Sequence, residues 1–148
     1  MKNSSICCSN AKHADKWASD LWSPGLALAK RLLSYLPQNN NEDPPQIQAE
    51  DSPHRMDEAL NTLIPNDENQ PYDMRDAIKA IFDRDSFLEI QPAFAANAVI
   101  GFARLDGYSV GIVANQPAFM SGALNIDASD KIARFIRTCD AFNVPLIT

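Results

Sequence analysis

Histidine and cysteine are scarce in this sequence, with two and three residues respectively among 148. His13 and His54 both lie in polar segments, which reads them as solvated surface residues and leaves no histidine-centred catalytic network. Cys7, Cys8 and Cys139 form no CxxC pair and cannot all pair with one another, so neither a disulfide scaffold nor a zinc ribbon is expected, and no metal site. The patterns GxxxxGK[ST], GxGxxG after a strand, HExxH and GxSxG are also missing, which removes the main support for P-loop, dinucleotide-binding, zincin and hydrolase-elbow chemistry. No run approaches the about 18 uncharged apolar residues that cross a bilayer. Lys2 is followed by no apolar block, and Asp15 and Asp20 precede the first arginine, Arg31, so the start has neither a secretory leader nor a transit-peptide character. The expectation is a soluble, uncleaved, cytoplasmic protein with no membrane partner.

What is present is an ordinary apolar content of 45% with 22% charged residues, ten prolines and five glycines. A chain of this length buries roughly two-thirds of its extended surface, enough for one domain or part of one, and collagen-like or wholly disordered classes are excluded. The formal net charge of −6 is uneven: residues 1–41 carry five basic and two acidic groups, 42–90 four and thirteen, and 91–148 four and four. An acidic middle without a basic stripe would repel a phosphate backbone, so nucleic acid is not expected as a partner. The acidic stretch reads as solvated connector and helix surface.

Residues 1–22 show no trusted periodicity and read as a disordered tail. Ser23-Pro24 is a helix start, and the helix over 23–36 would place Leu28, Leu32, Tyr35 and Leu36 on one face until Pro37 stops it. Residues 37–53, rich in proline and asparagine, read as an extended connector. Ser52-Pro53 opens a second short helix with Met56, Ala59, Leu60 and Leu63, ended by Pro65; a polar turn follows over Asn66–Pro71. Asp73 is an N-cap for a helix with Met74, Ile78, Ile81 and Phe82 on its apolar face. From Phe87 the period becomes that of strands, and NAVIGFARL, Asp106-Gly107 and YSVGIVAN read as a hairpin. Asp127 is the expected cap of a helix whose stripe is Ile132, Phe135, Ile136, Cys139 and Phe142, with Lys131, Arg134 and Arg137 on its solvated face. NVPLIT then begins a strand, so helix and strand form half of a βαβ crossover. A hydrophobic strand with nothing after it would leave an exposed edge, from which an incomplete domain is expected.

The block from Leu63 to Thr148 carries a resemblance. LIPNDENQPYDMRDAI and GFARLDGYSVGIVANQPAFMSGALNIDASDKIARFIRTCDAFNVPLIT closely resemble the C-terminal carboxyltransferase domain of acyl-CoA carboxylase subunits, the propionyl-CoA carboxylase beta chain family. RLLSYLPQNNNEDPP is similar to the segment that joins the two halves of such subunits, and the likeness runs over about residues 28–148. It implies an α/β fold of crotonase-like (ClpP/crotonase) type, a superhelix of ββα units, here truncated, with 54–148 as the first part of the C-terminal domain. It implies a reaction in which carboxybiotin, carried on a partner domain, yields its carboxyl group to the α-carbon of an acyl-CoA such as propionyl-CoA. Backbone N–H groups can stabilise the oxyanions of such a reaction without a catalytic acid, and no catalytic residue is assigned here. The implied partners are a biotin carboxylase/biotin carrier subunit, further copies of the chain in a homo-oligomer, and an acyl-CoA bound through an N-terminal domain that this sequence does not contain. The Ala-Met-Lys-Met segment of a biotin carrier is absent.

Two stretches could touch the biotin half-site: Ala114, Asn115, Gln116 and Pro117 at a strand end, and the small-residue loop Ser121, Gly122, Ala123 and Leu124, where Gly122 would admit a ligand close to the backbone. The alternative reading of both is a strand cap and a tight turn into the following helix. Tyr72-Asp73-Met74-Arg75 reads as a cap and packing motif. A different class of function, a non-catalytic module docking on a full-length carboxylase subunit, stays open. An independent crotonase-like hydratase or isomerase lacks its glutamate pair, since the last glutamate is Glu89.

Overall fold

The computed structural model describes residues 24–49, 51–52, 55–65 and 70–148. The readings of the tail with Cys7, Cys8 and His13, of His54, and of most of the polar turn after Pro65 lie outside these residues. The chain divides between Ser34 and Tyr35 into two compact units.

In the first unit, residues 24–33 are helical (α1). The helix ends before Pro37 is reached, because the Ser34 N–H donates to the carbonyls of Lys30 and Arg31 and the Ser34 hydroxyl donates to Arg31 O at 2.7 Å. Tyr35 is therefore not on the helix face expected of it and belongs to the second unit. There its hydroxyl donates to the Ser86 carbonyl, its ring stacks on Phe102 at 5.9 Å, and the Arg104 guanidinium lies 4.9 Å from its centroid.

The second unit contains α2 (Leu60–Leu63), α3 (Met74–Ile81), β1 (Leu88–Glu89), β2 (Ala98–Leu105), β3 (Tyr108–Asn115), a 3₁₀ turn (Met120–Gly122), α4 (Ile126–Ala141) and β4 (Leu146–Ile147). The helix expected from Ser52 is reduced to α2. Arg55 instead reaches α3, donating to Ala80 O and Phe82 O at 2.7 Å each while pairing with Asp51 at 2.9 Å. The four strands form one sheet in the order β1-β2-β3-β4, antiparallel except that β4 runs parallel to β3, with Gly111 opposite Leu146. The β3-α4-β4 path is the crossover read in the sequence.

Asp106 (φ 52) and Gly107 (φ 78) supply the left-handed turn that the twist of a two-residue hairpin requires. The Asp83 carboxylate accepts from both of their N–H groups, at 3.1 and 2.8 Å. The connector packs on this turn: Pro45 O accepts from Arg104 at 3.0 Å and from the Ser109 hydroxyl at 3.3 Å, and Ile47 N–H donates to Gly107 O at 3.1 Å.

Seven consecutive residues of β2 are buried, six of them nonpolar and the seventh Arg104, so both faces of the hairpin are covered. One face packs Val99, Ala103, Val110 and Ile112 against Ile78 and Phe82. The other receives α4, with Phe135 at 5.1 Å from Phe102 and the Cys139 sulfur lodged over Gly111. Burying one such large side chain stabilises by about 1.5–3 kcal/mol. Burial pushes the Cys139 thiol up to about 11, which makes it the inert core residue expected.

Three local expectations need correction. Asn125, not Asp127, caps α4, its side chain accepting from Ala128 N–H at 2.9 Å; a short amide placed before the first helical residue reaches that N–H. The buried stripe of α4 is Ala128, Lys131, Phe135 and Cys139, while Ile136 is exposed, so the helix is rotated from the face that apolarity alone selects. Ile81 likewise turns outward at the end of α3. Among the described residues no helix is long and apolar enough to cross a membrane.

A Cβ at Gly107 would collide with the Ile47 carbonyl and would have to adopt a positive φ. Gly107→Ala is expected to lower the unfolding free energy by about 2 kcal/mol, read as a fall in the urea midpoint at unchanged slope. A midpoint equal to that of the unsubstituted chain would contradict the connector's place on the hairpin.

Candidate functional site

Both faces of β2 and β3 being filled, polar chemistry is confined to the ends of the strands. The end of β3 is where the chain is most irregular. Met120, Ser121 and Gly122 have φ of 50, 53 and 74° in succession. A left-handed conformation costs a non-glycine residue roughly 1–2 kcal/mol, so Met120 and Ser121 are held there by their surroundings.

Uncharged amides do the holding. Gln116 is completely buried; its amide N–H donates to Asp73 Oδ1 at 2.6 Å and its carbonyl oxygen accepts from Met74 N–H at 3.1 Å, which fastens the end of β3 to the N-terminus of α3. The exposed Asn115 donates from its amide to Gly122 O at 3.0 Å. Asn97, 4% exposed, donates to Ala123 O at 2.8 Å and to the capping oxygen of Asn125 at 3.3 Å, while its own carbonyl accepts from Gln116 N–H at 3.0 Å. Inside the turn, Gly122 N–H donates to Phe119 O at 2.9 Å and Ala123 N–H to Met120 O at 3.0 Å.

The sequence-predicted residues thus come together at one strand end but in different roles. Ala114 packs against the core beneath β3. Gln116 is a fastener. Asn115, Gly122 and Ala123 shape the turn, and the N–H groups of Gly122 and Ala123 are used by the turn itself. Beside it opens a cleft of about 480 Å³ lined by Gln70, Pro71, Tyr72, Pro117, Ala118, Met120 and Ser121, a size within the ordinary range for small-molecule sites.

A charged chain lies behind this amide network. Arg75 forks onto Glu89 with two bonds of 2.8 Å and lies 3.5 Å from Asp73. The hydrogen bonding it donates to the Glu89 carboxylate is the largest influence raising the Arg75 pKa. For Asp73 burial pushes upward, but the bonds from Gln116 and Arg75 together with the Arg75 charge outweigh it, and the carboxyl is held below its ordinary 3.8.

Two site residues were missed by sequence reasoning. Asn97 carried no signal beyond its place before a strand. Lys131, expected on the solvated face of α4, is 2% exposed, and its ammonium donates to the carbonyls of Phe94, Ala95 and Ala98 at 2.8, 3.3 and 2.8 Å. Burial draws its pKa below the ordinary lysine value, against the opposing field of Glu89. Its spacing of three from Ala128 and four from Phe135 was the available signal, since it sits in line with the buried stripe.

Residues 21–148 match the carboxyl transferase domain. The chain belongs to the carboxyl transferase domain family. It is 52% identical over 122 residues to methylmalonyl-CoA decarboxylase subunit alpha of Veillonella parvula, an alignment covering 82% of this chain and 24% of that one. It is 48% identical over 132 residues to the propionyl-CoA carboxylase carboxyltransferase subunit of Haloferax mediterranei, covering 89% of this chain and 26% of the relative. Among solved structures, the transcarboxylase 12S hexamer with methylmalonyl-coenzyme A and methylmalonic acid bound is similar at a TM-score of 0.77 and 47% identity, over 81% of this chain and 23% of that one. A single-chain, multi-domain long-chain acyl-CoA carboxylase is similar at a TM-score of 0.68 and 32% identity, over 82% and 12%. This carboxyl transferase domain chain has the crotonase-like α/β fold expected and spans about a quarter of the length of the curated relatives it matches.

Replacing Gln116 by leucine strands the Met74 N–H and removes a bond that lowers the Asp73 pKa. Because the folded-state pKa of Asp73 is depressed, its contribution is present above 3.8 and is lost as pH falls through the folded value. Gln116→Leu is expected to cost about 2 kcal/mol at neutral pH, a deficit that narrows below pH 3.8 in urea melts taken from pH 7 to 3. A deficit independent of pH would contradict the link to Asp73.

Proposed function

We propose that this chain is part of the carboxyltransferase component of a biotin-dependent acyl-CoA carboxylase, contributing to the half-site that receives biotin. The observation that carries the reading is the left-handed turn Met120–Gly122, held by neutral amides beside the Tyr72–Ser121 cleft: strain maintained at a cleft is a mark of a built site.

The residues fit a neutral, bicyclic group. Pro71, Tyr72 and Pro117 offer apolar walls, Gln70 and Ser121 offer polar tips, and among the described residues no charged side chain lines the cleft. When bound, biotin supplies a carboxyl group on its ureido ring for transfer to the α-carbon of an acyl-CoA. Asn115 and Gly122 would form the floor against which the ring rests, with Ala123 and the fastened Gln116 setting its height, and Ala114 supporting from the core. Backbone dipoles of the turn would face the ureido oxygen, where negative charge develops on transfer; fixed dipoles in a drained cleft stabilise such charge without reorganising. Apolar walls would exclude water from the labile carboxyl group. In this reading residues 54–148 form the first part of the C-terminal carboxyltransferase domain, preceded by the joining segment 37–53 and the helix over 23–36, with 1–22 a tail. The acyl-CoA is bound by chain beyond these residues, biotin arrives on a carrier subunit, and the assembly is an oligomer in the cytoplasm. The hexameric assembly and bound methylmalonyl-coenzyme A of the transcarboxylase support an oligomer and an acyl-CoA by kinship.

Titration of the isotope-labelled chain with free biotin is expected to shift the amide resonances of Asn115 and Ser121–Ala123 and leave Asp83 and Ile90 unmoved. Gly122→Val, which forces a branched side chain into the left-handed turn, is expected to abolish these shifts. No response, or one confined to other residues, would contradict the half-site.

A second reading is favoured by the sheet edge: among the described residues β4 pairs on one side only, and its Leu146 and Ile147 are 36% and 37% exposed. Such an edge suits docking on a full-length carboxylase subunit without catalysis by this chain. Light scattering after size exclusion is then expected to find a complex with an intact beta subunit; separate elution would contradict it.

A further inference from the structure

The segment between β1 and β2 touches the candidate site through Asn97, by its side chain and by its backbone carbonyl, and is itself closely secured. Ala95 is left-handed at φ 45°, Phe94 N–H donates to Gln91 O at 3.1 Å and Ala98 N–H to Ala95 O at 3.1 Å. Those bonds close the turn but leave carbonyls facing inward. The Lys131 ammonium fills that concavity, donating to three of them. Three donors meet three acceptors, so the charge is solvated by the backbone as an ion would be in a carbonyl cage.

Asn97 lies within this caged turn. Its amide reaches out to Ala123 O and to Asn125, the cap of the helix that carries Lys131, and its carbonyl holds Gln116 N–H. The circuit is closed: α4 supplies the cation, the cation sets the 94–98 turn, and that turn presents Asn97 to the segment leading into α4. We propose that Lys131 is a positioning residue for the Met120–Asn125 segment, acting through the 94–98 turn and Asn97. Only the identity of what the segment binds rests on the biotin reading. The chemical requirement is a cation with several donors at the end of a long stem. A methionine would fill the volume but take the ammonium donor from the Phe94 and Ala98 carbonyls, the latter buried, and leave Ala95 O with only the Ala98 N–H.

The test is amide hydrogen exchange on the full 148-residue chain. The reporters are Ala123 N–H, bonded to Met120 O, and Ala128 N–H, bonded to the Asn125 cap; the controls are Asp83 N–H on Arg104 O and Ile90 N–H on Ile100 O. Lys131→Met is expected to accelerate exchange of both reporters about tenfold while the controls stay within about twofold, the pattern of a local opening. Lys131→Arg, which keeps a cationic donor in the cage, is expected to hold the reporters within about threefold of the unsubstituted chain. Acceleration of reporters and controls alike, no acceleration, or an arginine variant as fast as the methionine one would overturn the assignment. If Lys131→Met does not fold, Asn97→Ala decides: it leaves the cage intact, and acceleration confined to Ala123 and Ala128 supports the relay, whereas unchanged exchange overturns it. A chain that shows the relay but no biotin shifts discards the half-site and keeps the positioning role.

Discussion

The burial of the β2–β3 hairpin on both faces is the constraint from which the rest follows. Once Val99, Ala103, Val110 and Ile112 are covered by α3, and Phe102 and Gly111 by α4, the middle of the hairpin is given over to the core. Function is displaced to the strand ends, where the backbone leaves the sheet. The same burial dictates that polar groups near those ends be paired, because an unpaired amide or carboxylate there would cost more than its partner contributes.

The pairing is unusual in its economy of charge. Asn97, Asn115, Gln116 and Asn125 carry most of the site's hydrogen bonds, with Asp73 and Lys131 as the two charged anchors at its margins. Neutral amides fix geometry without imposing a strong local field. A backbone oxyanion site benefits from such surroundings, since a nearby cation would bind the ground-state carboxylate as readily as it helped the transition state.

Much of the fold was legible. Asp106-Gly107 between two β-rich runs has a mechanism behind it, and the hairpin formed with these two residues as its loop and Leu105 opposite Tyr108. Asp73 acts as the cap that its position before MRDAIKAIF suggested. The crossover into β4 followed from a helix leading into an apolar strand. Apolarity failed where a polar side chain was buried for its donors: Lys131 looks like a surface residue by type and is a core residue by partner, and this rotated the reading of α4 towards Ile136, which the helix in fact exposes. The site was legible in place but not in role. Gln116 was singled out beside Asn115, yet only the three-dimensional neighbourhood of Asp73 and Met74 shows that its side chain is spent on fastening. Asn97 was invisible because its three partners lie 19 to 28 residues away along the chain.

In the proposed half-site, the backbone of the β3 end with its left-handed turn is what would grip a neutral ring. The most direct test is a crystal structure of the chain grown with biotin. The account predicts the ureido ring in the cleft between Tyr72 and Ser121, its oxygen facing the backbone of the Met120–Gly122 turn, with that turn still left-handed. A ring bound elsewhere, or a turn that relaxes to ordinary right-handed geometry around the ligand, would contradict it.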